Sequence, residues 1–200
     1  MSTPALPLNR LAPVLVLLLL ASGCATLAPP LPPPAPLAED EAATVAAVRM
    51  WQFGDSRAPL VEVERMCVAS LRDEAYRRSM ARALTDLLAD EAATYEARQF
   101  ASRQLVLIAQ AENVAEIAPL LTAPEYSDMA RYALEPMDSP LVDEALVAAL
   151  PLTAGATKIG IINSLGYRRT QDARDHLQAL ARSDDAAIAQ AAANALAKIN

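Results

Sequence analysis

Glycine is scarce in this chain, five residues in 200, and histidine occurs once. So few glycines leave no Gly-rich loop to cradle a phosphate, and His176, with no second His or Cys near it in sequence, makes a poor metal site. Neither a Gly-x-Ser-x-Gly elbow nor the Cys/His pair of a nucleophilic enzyme is present. Basic residues are outnumbered, 17 Lys and Arg against 24 Asp and Glu, and a net charge of -7 argues against a nucleic-acid binder. The apolar run Leu11 to Leu20 is too short to cross roughly 30 Å of hydrocarbon. Catalytic, cofactor-binding and metal-binding residues are therefore not expected.

Proline, by contrast, is plentiful and unevenly placed. Of 15 prolines, six fall between Pro29 and Pro36. A segment that loses so many N–H donors, with φ fixed so often, reads as extended polyproline II and as a spacer. Ahead of it, Met1 to Arg10 carries a single positive charge, and the apolar run closes on Leu20-Ala21-Ser22-Gly23-Cys24. That order suits a secretory signal.

Small residues followed by a cysteine resemble the lipobox of bacterial lipoproteins. Ala21, Ser22 and Gly23 match the small positions, Leu20 the apolar one and Cys24 the modified one. The resemblance implies cleavage between Gly23 and Cys24 and lipidation of Cys24. With Ala25 next, it further implies an outer-membrane protein facing the periplasm. The expected organisation is a signal peptide over 1–23, an acylated cysteine and Pro-rich linker over 24–37, and a domain over 38–200. Loss of Arg10 leaves a mature charge of -8, so lipid would be the sole membrane contact. About 14 residues of extended linker would reach on the order of 40 Å. Acylation of Cys24 would leave Cys67 unpaired, and its apolar neighbours point to a buried, inert thiol.

From about Leu37 onward, apolar residues recur at three- and four-residue intervals and no segment sustains strand alternation, so the domain is expected to be all-α. Leu105, Leu134, Leu165 and Leu196 are spaced 29, 31 and 31 apart. The same offsets carry Ala101 to Ala130, Ile161 and Ala192, and Ile117 to Leu146 and Leu177. These positions are the candidate repeat core. Each unit reads as two short helices: Thr94 to Gln110 with Val114 to Leu121; Ser127 to Glu135 with a helix capped by Ser139 and opened by Pro140; Thr157 to Leu165 with Gln171 to Ala181. A last helix covers Asp185 to Ile199. Asn113 has the spacing of an N-cap with Glu116, and Gly166 reads as a break. Upstream, Glu41 to Gln52, Arg57 to Leu71 and Glu74 to Ala89 read as less regular helices.

Such pairs bury their apolar faces by stacking. The pattern, most regular over 94–200, resembles short bacterial HEAT-like repeats, and Met129 to Glu135 and Lys158 to Gly166 look like segments of bacterial HEAT-repeat proteins. The resemblance implies an α-α superhelix. Within it, Glu39-Asp40-Glu41 reads as a helix-dipole start, Arg131 with Arg168-Arg169 as solvated charge, Met50, Met66 and Met80 as core, and Asn163 with Asn194 as a bridge between repeats. The last helix has a mainly Ala outer face, which suggests that this end, or the concave face of a solenoid, meets a partner protein or a second copy. The expected function is a lipid-anchored periplasmic adaptor without cofactor. An enzyme or accessory subunit resembling HEAT-like bilin lyases is the alternative, on fold analogy alone.

Overall fold

The computed structural model describes residues 32–199. The expected signal peptide, its Gly23/Cys24 junction and most of the proline run lie outside the described residues. One compact unit begins at Pro33, and Leu37 packs on its core.

The described residues are all-helical, with ten α-helices and no strand among them. They are α1 (Glu39–Val48), α2 (Ala58–Ser70), α3 (Glu74–Ala89), α4 (Tyr95–Ile108), α5 (Val114–Ile117), α6 (Ser127–Leu134), α7 (Pro140–Ala149), α8 (Gly155–Arg168), α9 (Arg174–Leu180) and α10 (Ala186–Ile199). Several starts follow from side-chain caps that satisfy orphan N–H groups. Asp73 accepts from the Tyr76 N–H at 3.1 Å, Thr94 from Ala97 at 3.2 Å, and Asp185 from Ala187 at 2.9 Å. Ser139 accepts from Leu141 with Pro140 at the tolerated first position, as its sequence predicts. The three acidic residues Glu39, Asp40 and Glu41 occupy the first turn of α1.

Three local expectations need correction. Asn113 does not cap a helix of its own; its side chain accepts from the Gln110 N–H at 2.9 Å, one turn earlier. The helix expected over Val114 to Leu121 stops at Ile117 and tightens into a 3-10 turn over Ala118–Thr122. Pro119 causes this, because it has no N–H to continue the ladder. Gly166 breaks nothing: α8 runs through it to Arg168, and Arg169, left-handed at φ 57°, ends the helix.

Alternate helices are neighbours. α4 packs on α3 and α6, α6 on α8, and α8 on α10; beside this row α5 meets α3 and α7. Leu105, Leu134, Leu165, Ile117, Leu146 and Leu177 are fully buried, whereas Leu196 in α10 is half-buried. Full burial of each such side chain stabilises the unit by roughly 1.5–3 kcal/mol. Met66 and Met80 are core residues, but Met50 is 59% exposed, because α1 ends at Val48 and leaves it in the following turn.

Candidate functional site

The connection between α1 and α2 carries the largest exposed aromatic feature. Phe53 is 78% exposed and stands edge-on to Trp51, with ring centroids 5.5 Å apart. Local bonds hold the pair. The Trp51 indole N–H donates to the Ser56 carbonyl at 3.1 Å, and the Asp55 carboxylate accepts from the Gln52 N–H at 2.9 Å. Gly54 takes φ +105°, a conformation that any side chain would strain. Thr94 ties the loop to the start of α4, its N–H donating to the Arg49 carbonyl at 3.0 Å and its hydroxyl to the Trp51 carbonyl at 2.6 Å. An aromatic edge fixed in this way is preorganised for contact.

Beside it lies a groove of about 460 Å³. Leu60 and Phe100, both buried, form its floor, and Trp51 and Phe53 form one wall. Asp55, Arg57, Glu64, Glu96, Gln99, Arg103 and Gln104 complete the lining. Much of that polarity is spent locally, since Arg57 pairs with Glu64 at 3.5 Å and Arg103 donates to Gln99 at 3.3 Å. The groove therefore presents aromatic surface with polar groups around it.

A second cleft, about 550 Å³, lies between α1 and α3 and is lined along one side by Pro33, Pro34, Ala35, Pro36 and Leu37. Arg49 and Asp90 pair within it, which holds the Asp90 carboxyl below the usual carboxylate range and raises the Arg49 guanidinium.

Of the arginines singled out in sequence, Arg169 is exposed, whereas Arg131 and Arg168 do structural work. Arg168 is not solvated charge: its Nε and Nη2 grip the Asp143 carboxylate at 2.8 and 2.9 Å. Its remaining donors reach the carbonyls of Glu135, Met137 and Ser139 at 2.8, 2.6 and 3.0 Å. A guanidinium has five N–H groups, and all five find partners here. Arg131 is likewise half-buried, bonded to Asp128, Glu135 and Ser164. Asn163 and Asn194 form no bridge; both are exposed, and Asn194 accepts from Gln190 of its own helix at 2.9 Å. His176 is exposed, and among the described residues no group of three or more His, Cys, Asp or Glu could hold a metal.

Arg98 escaped the sequence reading. It is 1% exposed, donates from Nε to the Leu88 carbonyl at 2.7 Å, and stacks 3.3 Å from the Tyr126 ring centroid. A cation at the carbonyl end of α3 is stabilised by the helix dipole and by the ring face. Cys67 is fully buried, and that burial, with the Glu64 charge adding to it, pushes its thiol up to about 12.

No protein-family model, curated protein or solved structure matches the chain. Among the described residues, no helix is long and apolar enough to cross a membrane.

Proposed function

We propose that the chain is a lipid-anchored adaptor of the bacterial cell envelope, joined through Cys24 to the periplasmic face of the outer membrane, whose HEAT-like helical stack docks another protein. The succession α4, α6, α8, α10, each packed on the next, supports a stacked array of helix pairs. The preorganised Trp51–Phe53 edge beside its groove is the observation that supports the binding role, because fixed aromatic side chains next to a groove are the residue types enriched where proteins meet. The lipobox-like residues carry the anchor, since several acyl chains hold a protein at a membrane far more firmly than one.

Two substitutions separate the two halves of this reading. Cys24→Ala releases the protein from the membrane fraction, and mass spectrometry finds diacylglycerol on the N-terminal peptide only when Cys24 is present. Phe53→Ala leaves the anchor in place and removes the retained partner. Fractionation unchanged by the first would overturn the anchor, and a partner retained unchanged by the second would overturn the groove as the docking surface.

A further inference from the structure

The charged groups that line the Trp51–Phe53 groove do not balance. Three carboxylates, Asp55, Glu64 and Glu96, meet two guanidiniums, Arg57 and Arg103. Arg57 pairs with Glu64 at 3.5 Å, and the Asp55 carboxylate accepts only a neutral N–H, that of Gln52 at 2.9 Å. The Glu96 carboxylate has neither an ion pair nor a hydrogen bond among the described residues. Two anions are therefore left without a cation, against one guanidinium, Arg103, that bonds the neutral amide of Gln99.

These groups are also separated along the groove. The Thr94 hydroxyl donates to the Trp51 carbonyl at 2.6 Å, which sets the first turn of α4 beside the aromatic pair. Glu96 belongs to that turn, whereas Arg103 lies two helical turns on, roughly 10 Å further at about 1.5 Å per residue. Asp55 comes from the loop that carries Trp51 and Phe53. The aromatic end of the groove is thus its acidic end. Trp51 has already committed its indole N–H to the Ser56 carbonyl, so what it presents to a ligand is ring surface. Ring surface flanked by unpaired carboxylates is the chemistry that holds an organic cation, because the ring quadrupole attracts the charge and a carboxylate neutralises it. A guanidinium suits both at once, since it stacks flat on a ring and bonds carboxylate through its edge.

We propose that the aromatic end of the groove receives an arginine side chain from an exposed segment of the partner protein, stacked at Trp51 and Phe53 and neutralised by Glu96 and Asp55. The net charge of -7 favours the approach of such a segment over long range. The inference rests on the groove as a docking surface and adds the residue type that it reads.

The chain has a single tryptophan, so Trp51 fluorescence reports on the groove itself. The full-length protein in a neutral detergent is titrated with two short end-blocked glycine peptides, one with a central arginine and one with citrulline in its place, which keeps the shape and removes the charge. The arginine peptide gives a saturable change that weakens with added salt, and the citrulline peptide binds at least about tenfold more weakly. Glu96→Gln, and separately Asp55→Asn, which keeps an acceptor for the Gln52 N–H, each weaken the arginine peptide severalfold. Glu144→Gln, at an exposed carboxylate of α7 outside the groove, leaves it unchanged. Glu96 also complements the α4 dipole, so thermal melts accompany the variants, and the comparison of the two peptides on the unaltered protein depends on no variant. No saturable change with either peptide, equal affinity for both, or equal weakening by Glu144→Gln and Glu96→Gln would each overturn the proposal. Where Phe53→Ala still removes a retained partner in that event, the groove stands as a docking surface and only its reading of arginine falls.

Discussion

At the scale of single residues, Arg168 is the side chain whose loss is expected to be most costly outside the apolar core. It fastens the turn between α6 and α7 to the last turn of α8 by bonds to three backbone carbonyls and one carboxylate. Arg168→Ala orphans those acceptors and leaves Asp143 without its cation, at a cost of about 2–4 kcal/mol. A thermal melt then falls by roughly 5–15 °C for a unit of this size. Asp143 itself sets a pH dependence. Burial alone would raise its carboxyl, but the bonds from Arg168 and from the Thr170 hydroxyl outweigh that and hold it below the usual value. A depressed carboxylate stabilises the fold above its unfolded pKa of about 4, and that stability is lost as pH falls through the lower folded value. Asp143→Asn should flatten the stability profile in that acidic window, as measured by urea midpoints from pH 5 downward. Cys67 gives a third check. With its thiol held near 12 by burial, it should resist alkylation at pH 8 in the native protein and react once urea unfolds it.

At the scale of helices, two glycines of α8 look alike in sequence and differ in consequence. A Cβ at Gly166 would lie 2.8 Å from the Ala195 Cα, so α8 and α10 touch backbone to backbone there. Gly166→Ala forces the helices apart and costs about 1–3 kcal/mol. The atoms nearest a Cβ at Gly160 belong to the flexible end of the Arg131 side chain, at 2.8–2.9 Å, which can shift at some cost to its bonds with Glu135 and Ser164 more readily than backbone can. The gain in helix propensity on replacing Gly, about 1 kcal/mol, offsets that displacement, and Gly160→Ala should be near neutral. Urea denaturation of the two variants distinguishes a contact glycine from a tolerated one. This is also where the sequence could mislead. A glycine near a helix end has the same one-letter signature whether it stops the helix or admits a neighbour, and only the position of Ala195 decides. Ser139-Pro140 was legible because its capping signal is local. The short α5 was missed because one Pro119 outweighed a favourable apolar spacing.

At the scale of the whole described unit, what periodicity could reveal was the core, because apolar residues spaced to share one helix face are those that packing buries: Leu105, Leu134 and Leu165 are all fully buried. The candidate groove was not legible, since Trp51, Phe53, Leu60 and Phe100 come from a loop and two helices, and only packing brings them together. The same packing yields a difference along the row. Leu134 belongs to α6, which meets both α4 and α8, whereas Leu196 belongs to α10, which meets α8 and α9. Leu134→Ala should therefore cost about 2–5 kcal/mol, and Leu196→Ala, half-buried from the start, well under that. In the stacked array proposed above, coupled only between neighbours, the two variants also differ in where structure is lost. Loss at Leu196 should raise amide exchange in α10 and leave α4 protected. Loss at Leu134 should raise exchange in α4, α6 and α8 together. Equal loss of protection along the chain in both variants would show instead that α4 to α10 open as one cooperative block, and that neighbour contacts do not set the order of opening.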